Sequence, residues 1–339
     1  MNRKDFITQT SLLTAGLFLS KDLSAFELSY PNVRVPMNKR KFSSPAVEKA
    51  ILKFQKNATD QELGWLFNNC LPNTLDTTVT FSTVNGRPDT YVITGDIDAM
   101  WLRDSSAQVW PYLSFMKEDK NLQQLIAGVI NRQTSYVLKD PYANAFYHTG
   151  EQKSEWESDH TKMQPGVHER KWEIDSLCYT MRLAYNYWKM TGDVSPYDGE
   201  WKRAVQLILK TFKEQQRKTG LGPYTFQRNT AKPTDSLPMA GYGFPVKSVG
   251  LICSMFRPSD DATVFPFLIP SNLFAVVSLR QMAEMMIAVG QDDTLAAELS
   301  ALAQEVETAI QKYAIVEHPV YGKSYAFEVD GFGNVNLMD

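Results

Sequence analysis

The 339-residue chain is short of the groups used in metal, redox and nucleotide chemistry, with only three cysteines and four histidines. Cys70, Cys178 and Cys253 show no CxxC spacing, which argues against a structural zinc site. Cys178 and Cys253 lie in apolar runs and read as small buried hydrophobes, so no structural disulfide is expected. His160 and His168 do not have HExxH spacing, which removes the common helical zinc motif. There is no P-loop, no GxGxxG after a strand and no GxSxG elbow. No metal and no cofactor are expected. Basic charge is not in excess either: 35 Lys and Arg face 38 Asp and Glu, for a net −3, which points away from a nucleic-acid partner. Beyond the amino terminus, no segment is expected to span a membrane.

Aromatic side chains, in contrast, are plentiful, with seven Trp and fifteen Tyr. Either a large aromatic core or a sugar-stacking surface uses such residues, and composition does not separate the two. The amino terminus opens on Asn2-Arg3-Lys4 and continues through an apolar stretch from Phe6 to Ser20, followed by the small residues Ser24 and Ala25. This is the layout of a secretory signal peptide over residues 1–25, and it places the mature protein outside the cytoplasm, in a periplasm or beyond the cell. Residues 26–43 are polar and contain proline, and read as a linker or an arm.

Helical spacing dominates the remainder, residues 44–339. Leu122, Leu125, Ile126, Val129 and Ile130 recur at three and four. So do Ile174, Leu177, Met181, Tyr185 and Trp188; Val205, Ile208, Leu209 and Phe212; Leu273, Val277, Met282 and Val289; and Leu295, Leu299, Leu302, Val306 and Ile310. These stripes are core faces. Thr191-Gly192-Asp193 and Gly290-Gln291-Asp292 read as helix stops. Two short strand-like runs flank Asn85-Gly86 and predict a hairpin near residues 77–94. Successive helices joined by long, aromatic-rich loops fit an all-α fold, the (α/α)6 toroid, with the loops gathered at one end.

Three constellations carry chemical groups. In Thr94–Ser105 (TGDIDAMWLRDS), Trp101, Arg103 and Asp104 stand before a helix expected to begin near Ser105. Asp104 or Ser105 either caps that helix or, with Arg103 donating and Trp101 stacking, grips a sugar. In Phe256–Asp261 (FRPSDD), adjacent carboxylates follow an Arg-Pro turn. Burial and a like-charged neighbour would raise one carboxyl pKa, as an acid catalyst needs; otherwise one Asp caps and the other pairs with Arg257. In His168–Asp175, Glu169 and Asp175 read as helix-entry charges, or as partners for a sugar hydroxyl.

Together with LKDPYAN at Leu138–Asn144, ERKWEIDSLCY at Glu169–Tyr179, LIPSNLFA at Leu268–Ala275 and YAFEVDGFGNVNLMD from Tyr325 onward, these runs resemble glycoside hydrolase family 125 across residues 60–339. The resemblance implies an (α/α)6 barrel and an exo-α-1,6-mannosidase that inverts configuration without a metal, acting on mannose-containing oligosaccharides. It implies Asp260 as the general acid, with Asp261 as the alternative. Trp101, Arg103, Asp104, Glu169, Arg257 and Asn272 would hold substrate. It also places the general base beyond the FEVDGFGN segment, so that the base and the last helices of the barrel are expected to lie outside these 339 residues. Another (α/α)6 glycosidase acting on α-glucosides or trehalose, and a non-catalytic glycan-binding protein, are the alternatives.

Overall fold

The computed structural model describes residues 30–338. The segment read as a signal peptide lies outside them.

Among the described residues the chain is mostly helical with small sheets. The eight α-helices are α1 (Pro45–Asn57), α2 (Gln61–Cys70), α3 (Leu102–Val109), α4 (Lys120–Lys139), α5 (Ile174–Thr191), α6 (Gly199–Gln215), α7 (Ile269–Met285) and α8 (Asp293–Tyr313). From α3 onward they form two rows. In the inner row α3 packs on α5 and α5 on α7; in the outer row α4 packs on α6 and α6 on α8. The predicted stripes supply most of the buried faces; the stripe Leu273, Val277, Met282 and Val289 does so only at Met282, since Val277 is exposed and α7 turns Ala275, Val276 and Leu279 inward instead. Leu122, Leu125, Ile126, Val129 and Ile130 are all buried in α4, and Leu295, Leu299, Leu302, Val306 and Ile310 in α8.

The two rows begin differently. Each outer helix has an aspartate as its N-cap: Asp119 accepts from the amides of Asn121 and Leu122, Asp198 from those of Glu200 and Trp201, and Asp292 from that of Leu295. The inner helices begin on Trp101, Glu173 and Leu268, none of which makes a side-chain cap bond. α3 starts at Leu102 rather than near Ser105, so Asp104 sits in its first turn and neither residue is the cap. Helix ends follow local rules. α5 stops at Gly192 in the left-handed region. α7 runs on through a π-helical turn, Met286–Gly290, and it is Gln291, not Gly290, that turns left-handed (φ 48°). Together these form one apolar stretch, Ile269–Gly290, long and apolar enough to cross a membrane by length and composition, which corrects the expectation that no segment beyond the amino terminus is. Here it is a core helix packed between α5 and α8.

Short strands steer the loops. β1 (Val79–Val84) and β2 (Arg87–Val92) make the predicted hairpin, with Asn85 and Gly86 both at positive φ (50° and 79°). β3 (Met100–Trp101), β4 (Ala145–Phe146) and β5 (Val167–Glu169) form one sheet leading into α3. β6 (Phe267–Leu268) leads into α7; it pairs with β9 (Glu328–Val329), which pairs with β10 (Val335–Asn336). β7 (Ile315–His318) and β8 (Gly322–Tyr325) form a last hairpin. The described part of the arm, residues 30–43, lies against α1 and α2. Arg34 bonds Asp76 at 2.8 Å and pairs with Glu48, and Trp65 donates to the Pro31 carbonyl. All three cysteines are free thiols, Cys178 and Cys253 buried and Cys70 exposed.

β2 lies directly on α4 because Gly128 has no side chain. The Thr90 hydroxyl donates to the Leu125 carbonyl at 2.7 Å, and a Cβ at Gly128 would come within 2.3 Å of that hydroxyl. Alanine favours a helix over glycine by about 1 kcal/mol, whereas overpacking a close contact costs about 1–3 kcal/mol. The backbone amide of Thr90, 2.9 Å away, cannot swing aside, so the clash wins. Gly128→Ala is expected to lower unfolding stability by about 1–2 kcal/mol in urea titrations. A neutral or stabilised variant would contradict the close approach.

Candidate active site

Arg103, in the first turn of α3, reaches across to the start of α5. Its guanidinium lies 2.6 Å from Glu173 and 3.2 Å from Asp175, 3.7 Å from its neighbour Asp104, and 3.7 Å from Asp260. One cation thus faces four carboxyl groups. Glu173 Oε2 is also bonded by the Ser176 hydroxyl at 2.8 Å. Four buried carboxylate oxygens here have no protein donor: Asp104 Oδ2, Glu173 Oε1, Asp175 Oδ1 and Asp260 Oδ1. The positive ends of the uncapped α3 and α5 helices favour carboxylates at this position.

Four negative charges around one positive charge do not all persist under burial. Burial raises the Glu173 carboxyl well above the glutamate range; Arg103 opposes this, while Asp175 and Asp260 reinforce it. Burial likewise raises Asp175, again against the pull of Arg103. For Arg103 burial works against its charge, but Glu173, Asp175, Asp104 and Asp260 outweigh it and hold the guanidinium protonated. Asp260 is raised by burial first and by the charge of Glu169 second. Its side chain nevertheless remains 45% exposed, so this carboxyl opens to solvent.

Asp260 and Asp261 part ways sharply. Asp261 is bonded by Lys232 and by the Thr234 hydroxyl, each at 2.7 Å, and these two donors hold it below the aspartate range. It is therefore suited to staying ionised, and Asp260 to keeping a proton. Asp260 has a left-handed backbone (φ 66°), which an aspartate tolerates at some cost. The loop is pinned on several sides. The Asp260 amide donates to the Arg257 carbonyl (2.9 Å), the Arg257 amide to the Asp261 carbonyl (2.8 Å), the Ala262 amide to the Thr234 carbonyl (2.7 Å), and Lys171 to the Asp260 carbonyl (3.0 Å). Arg257 bonds Glu328 at 2.7 Å, whose other oxygen accepts from the amides of Val264 and Phe265. Arg257 thereby ties the loop to β9.

The other predicted residues lie at different depths. Glu169 belongs to a second ionic network: it accepts from Arg228 (3.1 Å) and Asn144 (3.0 Å) and faces Lys171 at 3.5 Å. Arg228 also clasps Asp159 with two bonds, and Lys171 bonds Asp235 at 2.6 Å. Trp101 is buried, edge-on to His168 at 5.0 Å, in a small cluster with Ala99, Ala145 and Tyr147. Asn272 stands apart. Its amide is buried and fully engaged with the backbone, accepting from the Ile252 amide and donating to the carbonyls of Ile252 and Leu268. It fastens a loop to the start of α7 and leaves no group for a ligand.

Glu173, Lys171 and Arg228 were not among the predicted site residues. A signal for the first two exists in the sequence. From Glu169 to Ile174 the chain alternates: Glu169, Lys171 and Glu173 join the ionic networks, while Trp172 and Ile174 enter the core. Arg170 follows the inward set, paired with Asp140 at 2.6 Å and stacked beside Tyr142 and Tyr224.

The chain matches the family described as metal-independent alpha-mannosidase, glycoside hydrolase family 125, over residues 60–339. A solved structure from Streptococcus pneumoniae, of a metal-independent alpha-mannosidase in a non-productive substrate complex with α-1,6-mannobiose, is 41% identical with a TM-score of 0.83. That match covers 88% of this chain and 70% of the other. The meiotically up-regulated gene 157 protein of Schizosaccharomyces pombe is 40% identical over 329 residues, covering 92% of this chain. The chain spans 64% of that relative's length.

The raised Glu173 carboxyl sets a sign for stability against pH. Its protonated form is favoured by folding, so its contribution is complete below the ordinary glutamate range and is lost as pH rises through the folded value. Glu173→Gln cannot ionise and lacks this slope. Between about pH 5 and about pH 8, the difference in Tm is expected to move in favour of the variant. A flat difference, or one moving toward the unaltered protein, would show that Glu173 folds as an ordinary carboxylate.

Proposed function

We propose that this chain, which belongs to glycoside hydrolase family 125, removes terminal mannose from α-1,6-linked mannosides with inversion and without a metal. The observation that carries this reading is a solvent-open carboxyl, Asp260, held above its usual range beside Arg103 and Asp104 at the start of an inner helix. Asp260 is the general acid in this proposal. Its proton passes to the glycosidic oxygen as the bond to the anomeric carbon breaks. Water attacks that carbon from the opposite face and gives its proton to a second carboxylate, roughly 6.5–9.5 Å from the first in inverting glycosidases. Arg103 and Asp104 grip the hydroxyls of the terminal sugar, and Arg257 and Glu169 hold the acid loop and its surroundings in place.

The likeness to a protein solved with α-1,6-mannobiose supports the choice of sugar. The two inner and outer helix rows support a sector of an (α/α)6 toroid. On this reading the described residues carry the acid and the sugar-gripping groups. The amino-terminal segment read as a signal peptide supports a reaction outside the cytoplasm.

The test is hydrolysis of α-1,6-mannobiose by the natural full-length protein, with the first-released anomer followed by NMR. β-Mannose is expected first. Asp260→Asn is expected to lose about 10²–10⁴ in kcat while still binding the disaccharide, and Asp261→Asn to keep turnover within about tenfold. Equal losses in the two variants would reassign the acid. Binding without turnover in the unaltered full-length protein would favour a glycan-binding role.

A further inference from the structure

We propose that Gln133, on the outer helix α4, is a positioning residue for the sugar-gripping turn: it holds the first turn of α3 from behind and so sets where Arg103 and Asp104 stand. The inference rests on the reading of Arg103 and Asp104 as the groups that hold the terminal sugar. It adds to them a side chain that is itself 1% exposed and out of reach of any substrate.

The hydrogen bonds of one amide carry the argument. Gln133 Nε2 donates to Ser106 Oγ at 2.8 Å, to Ser105 Oγ at 2.9 Å and, at the longer distance of 3.3 Å, to the Leu102 carbonyl. Both serine hydroxyls donate in turn to that same carbonyl, Ser106 at 2.9 Å and Ser105 at 3.3 Å. Their protons are thereby committed, and the two serine oxygens offer only lone pairs to the amide. This sets the Gln133 amide with its nitrogen toward α3, and its Oε1 has no protein donor. Leu102, Ser105 and Ser106 bracket Arg103 and Asp104 in the sequence, so the clamp holds the turn on both sides of that pair. Ser105 and Ser106 are buried with Gln133, and the three make a polar patch in an otherwise apolar helix contact.

The turn needs such a hold. α3 has only eight residues and begins on Trp101 without a side-chain cap, which is too short and too open an element to keep its own shape. α4 has 20 residues and an aspartate cap, and is the firmer of the two. Packing on α5 and one bond from the Leu102 amide to the Asn144 carbonyl (3.0 Å) also locate α3. Apolar packing is non-directional, however, and lets a short helix roll about its axis, whereas a hydrogen bond constrains angle as well as distance. An apolar side chain at position 133 would fill the same space; the amide adds direction. That direction matters because Arg103 must meet Glu173 at 2.6 Å and Asp175 at 3.2 Å with Asp104 beside it at 3.7 Å. A displacement of about 1 Å is enough to cost on the order of 10² in a site that works by positioning.

The test is hydrolysis of α-1,6-mannobiose by the natural full-length protein and by Gln133→Met, which keeps the length of the side chain and loses the amide. KM is expected to rise about tenfold or more, with kcat changed by less than about threefold, since the displaced groups bind the sugar and Asp260 stands on another loop. The substitution strands no buried donor, because both serines keep the Leu102 carbonyl, so the variant is expected to fold. Gly128→Ala, on the same helix, is the control for general loosening: it is expected to lose stability and keep its KM. The Ser105→Ala/Ser106→Ala double variant removes the clamp from the α3 side. It is expected to raise KM by itself and to leave Gln133→Met little further effect, and it carries the test if Gln133→Met does not fold. An unchanged KM in Gln133→Met or in the serine double variant, a full further rise when the two are combined, or a matching rise in Gly128→Ala overturns the positioning role and leaves the mannosidase reading standing. A full-length protein that neither hydrolyses nor binds the disaccharide overturns both.

Discussion

The Arg103 guanidinium is the contact on which the site depends. It joins the first turn of α3 to the entry of α5 and faces Asp260 on the loop before α7. Its partners outnumber it, and that imbalance under burial pushes the carboxyls toward their protonated forms. The arrangement stores unfavourable electrostatics that a simple ion pair would avoid, as functional sites commonly do. The inner helices make it possible by beginning without side-chain caps, whereas every outer helix in the two-row array is capped by an aspartate. Stability is taken from the outer row, and the inner helix entries are left to hold the carboxyl groups.

A second network supports the first. Asp159, Arg228, Glu169 and Lys171, all buried, and the half-buried Asp235 form a continuous chain of ion pairs that ends on the carbonyl of Asp260. Removing one member of such a chain strands a buried charge, so its members act as a unit. This network and the Arg257–Glu328 pair hold Asp260 in a left-handed backbone that an isolated loop would leave. The Asp260 carboxyl is thus aimed by backbone restraint and tuned by the charges around Arg103 and Glu169.

Much of this was legible in the sequence where the rules are local. Helix faces follow from three-and-four spacing, the hairpin from Asn85-Gly86 and the α5 stop from Gly192, each within a few residues. Arg103, Asp104 and the Asp260–Asp261 pair stood out because unusual charges cluster in short runs, the family resemblance gave Asp260 as the acid, and the structure brings Arg103, Asp104 and Asp260 together. Glu173 was missed because, beside a helix start, it reads as an ordinary entry charge; its partner Arg103 lies 70 residues away. Asn272 illustrates the converse difficulty. A polar residue in an apolar run reads the same whether it faces a ligand or clamps backbone, and only the fold showed that it clamps Ile252 and Leu268. Asp260 and Asp261 are adjacent in sequence and acquire opposite shifts only in the fold, where burial and the charge of Glu169 raise Asp260 while Lys232 and Thr234, arriving from a distant loop, hold Asp261 down.

The most direct measurement is a crystal structure of the protein bound to α-1,6-mannobiose. The account predicts the terminal sugar within hydrogen-bonding distance of Arg103 and Asp104, with its glycosidic oxygen facing the exposed side of the Asp260 carboxyl. A disaccharide bound away from Arg103, or one whose glycosidic oxygen faces Asp261 instead, would contradict it.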